Sequence, residues 1–454
     1  MKKIIILGAG ESGTGAALLA KAKGFDVFVS DKSAIAERYI AELNAANIAF
    51  ESGQHTENRI LSADLIVKSP GIPDRIALLQ MAQEHNIEII SEIEFAYRFL
   101  PPRSKIIAIT GSNGKTTTTE LVYHLLKTGK KNVALGGNIG YSFARLVLNG
   151  SFRWYVLELS SFQLDGIMSF RPNISILLNI TPDHLDRYDY KMENYVASKF
   201  KIRQNQGKND IFITNGDDVE IDKFESTQNL PLGLRYYQIS ARIFDGATDA
   251  SIDGLTKDGD FINHQYLIHQ PMLMAPHNLF NAQCAVVAAI HAKVSAKAIQ
   301  TALDSFQTPP HRLEWVLEKD NIRYINDSKA TNVDSVFWAL KAMKTPTILI
   351  LGGQDKGNDY TQIESLVIEK VTAIVAMGVD NQKILDFFGD KISIIETAKS
   401  AVEAVEKAQK LAKNALYTGG GAATVLLSPA CASFDLFKNY EDRGNQFRAA
   451  VLAL

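Results

Sequence analysis

Apolar residues in this chain occur in short runs, and most runs are followed by a turn and a segment of helical periodicity. Ile4–Leu7, Leu65–Val67 and Ile106–Ile109 are examples, rich in Ile, Leu and Val with no alternating polar positions. Short continuous apolar runs are typical of strands that are buried on both faces of a parallel sheet. The pattern therefore predicts an α/β fold built from strand–helix units.

Two pairs of consecutive prolines, Pro101-Pro102 and Pro309-Pro310, interrupt this pattern. Proline removes a backbone donor and breaks helices, so we place domain boundaries there. We predict a Rossmann-like domain over residues 1–102, a central P-loop-type ATP-binding α/β domain over 103–308, and a Rossmann-like α/β domain over 309–454. The chain has 454 residues, which is enough for two or three domains.

Strands are predicted in the last domain at Arg323–Asn326, Thr347–Leu351, Ala373–Ala376, Ile392–Ile395 and Thr424–Leu427. Polar or glycine-rich turns follow three of them, at Asp327–Asn332, Gly352–Gly357 and Ser428–Ser433. Because the carboxyl ends of parallel strands meet at one edge, these turns predict one composite site. A chance set of surface turns is the alternative.

Composition narrows the function classes. The chain is 46% hydrophobic and 22% charged, with a net charge of −2 and no basic block, so nucleic acid is not an expected partner. Cys284 and Cys431 are far apart, which fits a reduced, cytoplasmic protein. The apolar run at the N-terminus is too short for an export signal, and no run reaches the length of a membrane span.

The segment from Lys105 to Leu121 has the order strand, glycine-rich turn, helix. Gly111 and Gly114 let backbone N–H groups converge on phosphate oxygens, Lys115 supplies a cation, and the Thr116 hydroxyl is a Mg²⁺ ligand. The first glycine of the general phosphate-loop pattern is replaced by Ile109, so this loop is a shorter variant. A glycine turn with a chance Lys-Thr pair is the alternative.

A second glycine motif, Gly8-Ala9-Gly10-Glu11-Ser12-Gly13, follows the first strand, and Asp31 ends the next strand. This spacing is typical of dinucleotide-binding folds, and an oxidoreductase would bind NAD here with Asp31 on a ribose. Physically, the motif indicates only that a nucleotide diphosphate could bind the helix N-terminus. The structural alternative is that the glycines only allow close helix–strand packing, without a ligand.

Three polar residues lie where the central domain is expected to hold its chemistry. Glu158 ends an apolar strand, where a carboxylate is costly unless it is paired or bound to metal. A magnesium ligand and a structural ion pair are equally compatible with that position. His184 follows the strand Ile174–Asn179 between acidic residues and is a candidate for metal binding or proton transfer. Lys199 by itself reads as a solvated charge.

Asn278 and Asn281 are three residues apart at the start of an alanine-rich helix, so they share a face. Their amides could hydrogen-bond a nucleotide base. A helix-capping role for Asn278 is equally compatible with the spacing.

The motifs together resemble the Mur ligase family, whose members are ATP-dependent ligases that build the peptide stem of bacterial peptidoglycan. The resemblance rests on Gly111–Thr116, Glu158–Gln163, Asp183-His184, His277–Asn281 and Asn326–Asn332, which fall in the family's order along the whole chain. The dinucleotide-type N-terminal domain and the segment Ser428–Asp435 resemble the members that add D-glutamate.

The resemblance implies transfer of D-glutamate to UDP-N-acetylmuramoyl-L-alanine through an acyl phosphate, with ATP and two Mg²⁺ ions, as a cytoplasmic step of peptidoglycan synthesis. It implies small-molecule substrates, with neither nucleic acid nor membrane as partner, and a monomer is expected. Another Mur ligase or a folylpolyglutamate-type ligase is the nearest alternative. An NAD-dependent oxidoreductase would leave the second phosphate loop and the third domain unexplained. A non-catalytic nucleotide switch would bind ATP tightly without forming an amide product.

The resemblance also implies roles for individual residues. It gives catalytic roles to Lys115, Glu158, His184 and Lys199. The ATP-binding set is Gly111, Ser112, Asn113, Gly114, Lys115, Thr116, Thr117, Asn278, Asn281, Arg312 and Asp327. The set for the UDP-bearing substrate is Ser12, Asp31, Ser33, Ser69, Asn138, Gln163 and His184. The D-glutamate set is Lys329, Thr331, Lys356, Ser433 and Tyr440.

For the metals, the resemblance implies Thr116 and Glu158 as ligands of one Mg²⁺ and His184 as a ligand of the other. Lys199 aligns with a lysine that is carbamylated in the family, and the carbamate would be an anion able to bind metal. Glu11 departs from the family, which often has an apolar residue there. An acid near a diphosphate is repulsive unless it points away.

Overall fold

The computed structural model describes residues 2–73, 75–239, 266–268, 273, 276–307, 310–418 and 421–454. The described chain contains three separate β-sheets, each flanked by helices, and this confirms the α/β class. The boundaries after residues 102 and 308 stay predictions, and the second falls on residues outside the described part.

The first sheet is parallel throughout and has the strand order β3-β2-β1-β4-β5. Its strands are β1 (Lys3–Leu7), β2 (Asp26–Asp31), β3 (Ala49–Ser52), β4 (Leu65–Lys68) and β5 (Glu88–Ser91). Its helices are α1 (Glu11–Ala22), α2 (Glu37–Ala45), α3 (Glu57–Ile60), α4 (Ala77–Glu84) and α5 (Glu92–Tyr97). The order reverses direction between β1 and β4, where such sheets open a crevice for ligands.

The second sheet is parallel too and has the order β11-β10-β9-β6-β8-β7. Its strands are β6 (Lys105–Thr110), β7 (Val133–Gly137), β8 (Trp154–Glu158), β9 (Ile174–Leu177), β10 (Ile211–Asn215) and β11 (Arg235–Ile239). Its helices are α6 (Lys115–Thr128), α7 (Phe143–Asn149), α8 (Ser161–Asp165), α9 (Met192–Phe200), α10 (Val219–Glu225), α11 (Pro276–His291) and α12 (Ala296–Ser305). Short 3₁₀ helices cover Leu185–Arg187 and Lys201–Arg203.

The third sheet has the order β12-β13-β17-β14-β15-β16, with only β12 antiparallel to its neighbour. Its strands are β12 (Glu314–Lys319), β13 (Ile322–Asn326), β14 (Thr347–Leu351), β15 (Val371–Met377), β16 (Ile395–Ala398) and β17 (Ala423–Leu427). Its helices are α13 (Val333–Ala342), α14 (Thr361–Lys370), α15 (Gln382–Phe388), α16 (Ala401–Thr418) and α17 (Tyr440–Leu452).

One predicted strand of this sheet is displaced. The sequence pattern predicts it at Ile392–Ile395, whereas β16 covers Ile395–Ala398. Parallel pairing aligns Ile374 of β15 with Ile395, and Ile394 is 43% exposed. Pairing with β15, rather than the local run of isoleucines at 392–395, therefore determines where β16 begins.

The described chain divides into two compact units, Met1–Phe306 and Gln307–Leu454. The first two sheets share the first unit because one apolar core continues from one to the other. Ile93 of α5, Phe143 of α7 and Tyr155 of β8 are all buried in it. Each large side chain buried there contributes about 1.5–3 kcal/mol.

Candidate active site

The phosphate loop lies between β6 and α6, as the sequence pattern predicts. Gly114 has a left-handed backbone, with φ 82°, directly before the first residue of α6. A Cβ atom at Gly114 would lie 2.7 Å from Oδ1 of Asn281, so both the conformation and the space require glycine. The first-turn amides of α6 are therefore presented at the loop, where they favour an anion.

The loop is clasped to the segment that follows β9. The Ser112 hydroxyl donates to the Thr181 carbonyl oxygen at 2.8 Å and accepts from the Thr181 amide at 2.9 Å. The Asn113 amide donates to Asn179 Oδ1 at 2.8 Å. These contacts hold the loop in shape through its own backbone and side chains.

Lys115 and Lys199 converge on a single backbone oxygen. Nζ of Lys115 donates to the Gly111 carbonyl oxygen at 2.8 Å, and Nζ of Lys199 donates to the same oxygen at 2.9 Å. Lys199 is 1% exposed, and burial together with the charge of Lys115 places its pKa well below the usual range. The sequence view of Lys199 as a solvated charge is therefore wrong, and its amine favours the neutral form.

Tyr195 supports this pair, although the sequence did not single it out for chemistry. The centre of its ring lies 4.5 Å from Nζ of Lys199, and its hydroxyl is 3.1 Å from the Ser112 hydroxyl. Burial raises the pKa of Tyr195 above its usual range. The spacing of Tyr195 and Lys199 by one helical turn of α9 is the signal that could have indicated it.

Glu158 ends β8 and is 2% exposed. Oε1 accepts from Nδ2 of Asn138 at 2.9 Å, whereas Oε2 is buried without a hydrogen-bond partner. Within the described chain Glu158 makes no ion pair, so the ion-pair alternative for this residue is not what the structure has. An unpartnered buried carboxylate oxygen is costly, and a cation would compensate it.

His184 is at the start of the 3₁₀ turn after β9, with a left-handed φ of 53°. Its Nε2 is 3.6 Å from Oδ2 of Asp183, and its ring packs 5.1 Å from that of Phe162. Phe162 lies in α8, directly after the strand that carries Glu158. The imidazole is 41% exposed and remains accessible to a ligand.

A metal ion in this region would be held by a hydroxyl and a carboxylate from separate elements. Among the described residues, no three or more His, Cys, Asp and Glu side chains are clustered as a metal site. The half-buried Thr116 in the first turn of α6 and the free oxygen of Glu158 are hard oxygen ligands. Mg²⁺ is usually held by one or two carboxylates together with water and substrate phosphates, so these residues fit it.

The two asparagines of α11 lie beside the phosphate loop. Nδ2 of Asn281 donates to Oδ1 of Asn278 at 3.3 Å, and both side chains are buried. Asn278 is the third residue of α11, so the capping alternative is wrong. Thr117, which is also assigned to ATP, is buried in the first turn of α6.

A cavity of about 860 Å³ opens at the switch point of the first sheet. The four residues assigned to the uridine and diphosphate, Ser12, Asp31, Ser33 and Ser69, all line it. Sequence reasoning missed other lining residues after β3, namely Gln54, His55 and Glu57. Their position behind the carboxyl end of a parallel strand is the signal that could have found them.

Asp31 and Gln163 already make internal bonds. Oδ2 of Asp31 accepts from the Ala9 amide at 2.7 Å and Oδ1 accepts from the Ser33 amide at 2.8 Å, so Asp31 shapes the glycine loop. Gln163 forms a capping box with Ser160 at the start of α8. Asn138 is exposed beside Glu158 and remains accessible on its other side.

In the second unit, Asp327 follows β13 and is buried. Oδ2 accepts from the Ser428 hydroxyl at 2.9 Å, and Oδ1 accepts from the Leu313 amide at 3.1 Å. Burial raises the pKa of Asp327 to about 7, against the opposing effect of Ser428. Arg312 is half-buried, and its positive charge lowers the pKa of Asp327, as the hydrogen bond from Ser428 does.

The residues assigned to D-glutamate are only partly gathered. The Lys329 ammonium lies 3.6 Å from the centre of the Tyr440 ring. The turn after β14 is joined to the Ser433 segment, because the Gln354 amide donates to the Ala432 carbonyl oxygen at 2.8 Å. Ser433 is buried, Thr331 is half-buried and Lys356 is exposed on its turn. The bond between Gln354 and Ala432 thus links the turn after β14 to the Ser428–Ser433 turn. The bond between Ser428 and Asp327 links that turn to the third predicted turn, Asp327–Asn332.

Family models match three consecutive parts of the chain. They are described as the Mur ligase MurD-like N-terminal domain, over residues 2–91, the Mur ligase middle domain, over residues 109–289, and the Mur ligase, glutamate ligase domain, over residues 311–431. A protein of Cytophaga hutchinsonii named UDP-N-acetylmuramoylalanine--D-glutamate ligase is 51% identical, over 100% of this chain and 99% of the relative. The chain belongs to the Mur ligase family.

Other relatives of this Mur ligase carry the same name. The Bacteroides fragilis protein is 50% identical over 100% of both chains, and that of Salinibacter ruber is 38% identical over 99% of this chain and 97% of the relative. Among solved structures, MurC of Thermotoga maritima has a TM-score of 0.60 at 18% identity, covering 100% of both chains. MurF of Thermotoga maritima, determined with ADP, has a TM-score of 0.57 at 17% identity, covering 94% and 95%. These structures share the fold of this chain over nearly its whole length.

Proposed function

We propose that this Mur ligase joins D-glutamate to UDP-N-acetylmuramoyl-L-alanine in an ATP-dependent step of peptidoglycan synthesis. The observation that carries the proposal is 51% identity along the full length to a ligase of that name. The match extends over the whole chain, from the N-terminal domain to the late segment Ser428–Asp435. A family-level likeness alone would leave the amino acid open.

Charge neutralisation is the main chemical task in such a reaction. The alanyl carboxylate must approach the γ-phosphate of ATP, and two anions repel each other. The Lys115 amine on the phosphate loop and the amides of α6 supply positive charge at that position. The resulting acyl phosphate would then be attacked by the amine of D-glutamate, with release of inorganic phosphate.

Two Mg²⁺ ions are proposed to complete the neutralisation. Thr116 and Glu158 would hold one ion, and the unpartnered oxygen of Glu158 supports this assignment. His184 would hold the other ion and contact the sugar-bearing substrate. When bound, the metal ions supply Lewis-acid stabilisation of the transferring phosphoryl group.

Lys199 is proposed to be carbamylated. Its amine is buried, favours the neutral form and shares one carbonyl oxygen with Lys115. A neutral amine can attack CO₂, and loss of one proton leaves the carbamate anion. Conversion of this amine to an anion would place a negative charge beside Lys115, which attracts it, and would add a metal ligand.

Substrate contacts are proposed from the remaining assigned residues. Ser12, Asp31, Ser33 and Ser69 share the cavity of the first sheet, which is large enough for a uridine diphosphate. Asn138 and Gln163 are assigned to the sugar. Asn278, Asn281, Arg312 and Asp327 are assigned to ATP, and Lys329, Thr331, Lys356, Ser433 and Tyr440 to D-glutamate.

The partners and location remain proposals as well. Within the described chain, no helix is long and apolar enough to cross a membrane. We propose a cytoplasmic monomer that acts on small molecules and binds neither nucleic acid nor membrane. The net charge of −2 supports the absence of a nucleic-acid surface.

The test is phosphate release with ATP, Mg²⁺ and UDP-N-acetylmuramoyl-L-alanine, with amino acids added singly. Release should require D-glutamate, and the amide product should appear by mass spectrometry. Lys115→Ala should lower turnover by about 10²–10³-fold, whereas Lys127→Ala, at the exposed end of the same helix, should not. Equal turnover with L-lysine, meso-diaminopimelate or L-alanine would contradict the assignment.

A further inference from the structure

Glu11 lies in the first turn of α1 and lines the cavity of the first sheet, yet its carboxylate is bonded to the central domain. Oε1 accepts from the Ser142 amide at 3.0 Å and from Nε of Arg145 at 2.8 Å. Oε2 accepts from Nη2 of Arg145 at 3.3 Å. The acid therefore points away from the position expected for a diphosphate, and its charge is paired.

The contact between α1 and the start of α7 is close and polar. A Cβ atom at Gly15 would lie 2.1 Å from Oγ of Ser142, so α1 reaches α7 only because this residue is glycine. Oε1 of Glu92 accepts from the Ala144 amide at 2.5 Å. Carboxyl groups of the N-terminal domain therefore accept hydrogen bonds from the amides at the start of α7, where the negative charge of Glu11 is favourable.

A short chain of bonds continues from this contact to the candidate metal ligand. Ser142 follows Tyr141, whose carbonyl oxygen accepts from the Gly137 amide at 2.9 Å and closes the loop after β7. Asn138 is in that loop and donates through Nδ2 to Oε1 of Glu158 at 2.9 Å. The Asn138 amide also donates to the Glu158 carbonyl oxygen at 2.9 Å.

We propose that Glu11 is a positioning residue: paired with Arg145, it ties the diphosphate-binding end of α1 to the Asn138 loop and so fixes Glu158 relative to the UDP-bearing substrate. The inference rests on the proposed function. The substrate is anchored by its diphosphate at one end and reacts at the alanyl carboxylate at the other. A fixed spacing between the two binding regions is therefore a condition for reaction, since small misplacements are costly.

Arg145 also neutralises the charge of Glu11 in this arrangement. Its guanidinium pairs with Glu11 on one side and, through Nη1, with Oε2 of Glu42 at 2.6 Å on the other. Without Arg145, the negative charge of Glu11 would be left without its ion pair in a residue that lines the cavity. Removal of Glu11 and removal of Arg145 should therefore have different effects on the affinity for a diphosphate.

The experiment compares four variants with the wild type: Glu11→Ala, Arg145→Ala, the double variant and Glu42→Ala. The last removes an ion pair of the same arginine without touching the Asn138 loop, and it is the control. UDP affinity is measured by calorimetry. The kcat with UDP-N-acetylmuramoyl-L-alanine and the Mg²⁺ concentration for half-maximal rate are measured by phosphate release, and melting temperature checks folding.

Glu11→Ala should leave the Kd for UDP within about twofold but lower kcat and raise the Mg²⁺ requirement, each by about tenfold. Arg145→Ala should weaken UDP about fivefold, because Glu11 is left unpaired, and the double variant should regain wild-type UDP affinity without regaining kcat. Glu42→Ala should stay within about twofold throughout.

The inference is overturned if Glu11→Ala matches Glu42→Ala in kcat and Mg²⁺ requirement. It is also overturned if Glu11→Ala changes only the affinity for UDP, or if the double variant binds UDP as weakly as Arg145→Ala. A wild-type enzyme that shows no D-glutamate-dependent turnover would instead contradict the proposed function. UDP affinity of all variants is measured independently of turnover, so the two failures are distinguishable.

Discussion

Lys199 shows how strongly a neighbourhood changes the chemistry of one side chain. The sequence presents a lysine in a helix with other charged residues, and the structure presents a fully buried amine beside a second amine. Burial of the Lys199 amine is the main cause of its lowered pKa, and the positive charge of Lys115 at the same carbonyl oxygen lowers it further. The lowered pKa increases the fraction of neutral amine, which is the form that reacts with CO₂.

Lys199→Ala should lower turnover by about 10–100-fold, because a metal ligand or its support is lost. Small carboxylates such as acetate should restore part of the rate. In ¹³CO₂-equilibrated wild-type protein, NMR should show a carbamate carbon that is missing in Lys199→Ala. The exposed residue Lys208 provides the control, because Lys208→Ala should retain both the signal and the rate.

The carbamate proposal would fail if the wild type gave no carbamate signal under conditions of full activity. It would fail equally if acetate accelerated the wild type and the variant by the same factor. Either result would leave Lys199 as a buried amine that supports the Gly111 carbonyl.

At the scale of elements, the packing of α1 on α7 joins the first two domains. Gly15 of α1 faces the Ser142 hydroxyl, which caps α7 by accepting from the Arg145 amide at 3.4 Å. An alanine ordinarily stabilises a helix relative to glycine by about 0.5–1 kcal/mol. Here the added methyl group would overlap the Ser142 hydroxyl unless Ser142 moves and gives up its hydrogen bond with the Arg145 amide.

Gly15→Ala should therefore lower the free energy of unfolding by about 1–3 kcal/mol, in spite of its better helix propensity. Urea unfolding followed by circular dichroism measures the change. Gly10→Ala is the matched control for stability, because no atom lies within 4 Å of its added Cβ. Equal stability of Gly15→Ala and wild type would show that the contact relaxes without cost.

At the scale of the whole molecule, the described chain has two compact units although it has three sheets. The first unit is held together by an apolar core and by carboxyl groups at the start of α7. Glu92 is the most deeply buried of these acids, and burial raises its pKa from 4.5 to about 8. The negative charge of Glu11 acts in the same direction, while the Ala144 amide opposes it.

Stability should consequently depend on pH. Between pH 4.5 and about 8 the folded protein retains a proton on Glu92 that the unfolded chain has lost, so the free energy of unfolding falls as pH rises. The loss is on the order of a few kcal/mol. Glu92→Gln cannot ionise, so its melting temperature relative to wild type should rise steadily from pH 5 to pH 8.

The control for loss of one carboxylate is Glu37→Gln, on the exposed side of α2. Its melting temperature should keep a constant offset from the wild type across the same pH range. A constant offset for Glu92→Gln as well would mean that Glu92 titrates alike in the folded and unfolded states.

Local spacing in the sequence was sufficient for the α/β class, for most strands and for the phosphate loop, because each depends on residues close together along the chain. Gly114 before a helix and a buried strand before Gly111 already specify that loop. The family could be inferred for the same reason, since its motifs are short. The displaced β16 marks the limit, because its start is set by pairing with β15.

Only the tertiary structure decided how distant polar groups are used. Whether Glu11 faces a diphosphate or Arg145, and whether Lys199 is solvated or pressed against Lys115, depends on which helices pack together. Charge and pKa respond to all neighbours in space, and the sequence orders neighbours only along the chain. The chemistry of each motif was thus readable from its residues, whereas the coupling between motifs required the fold.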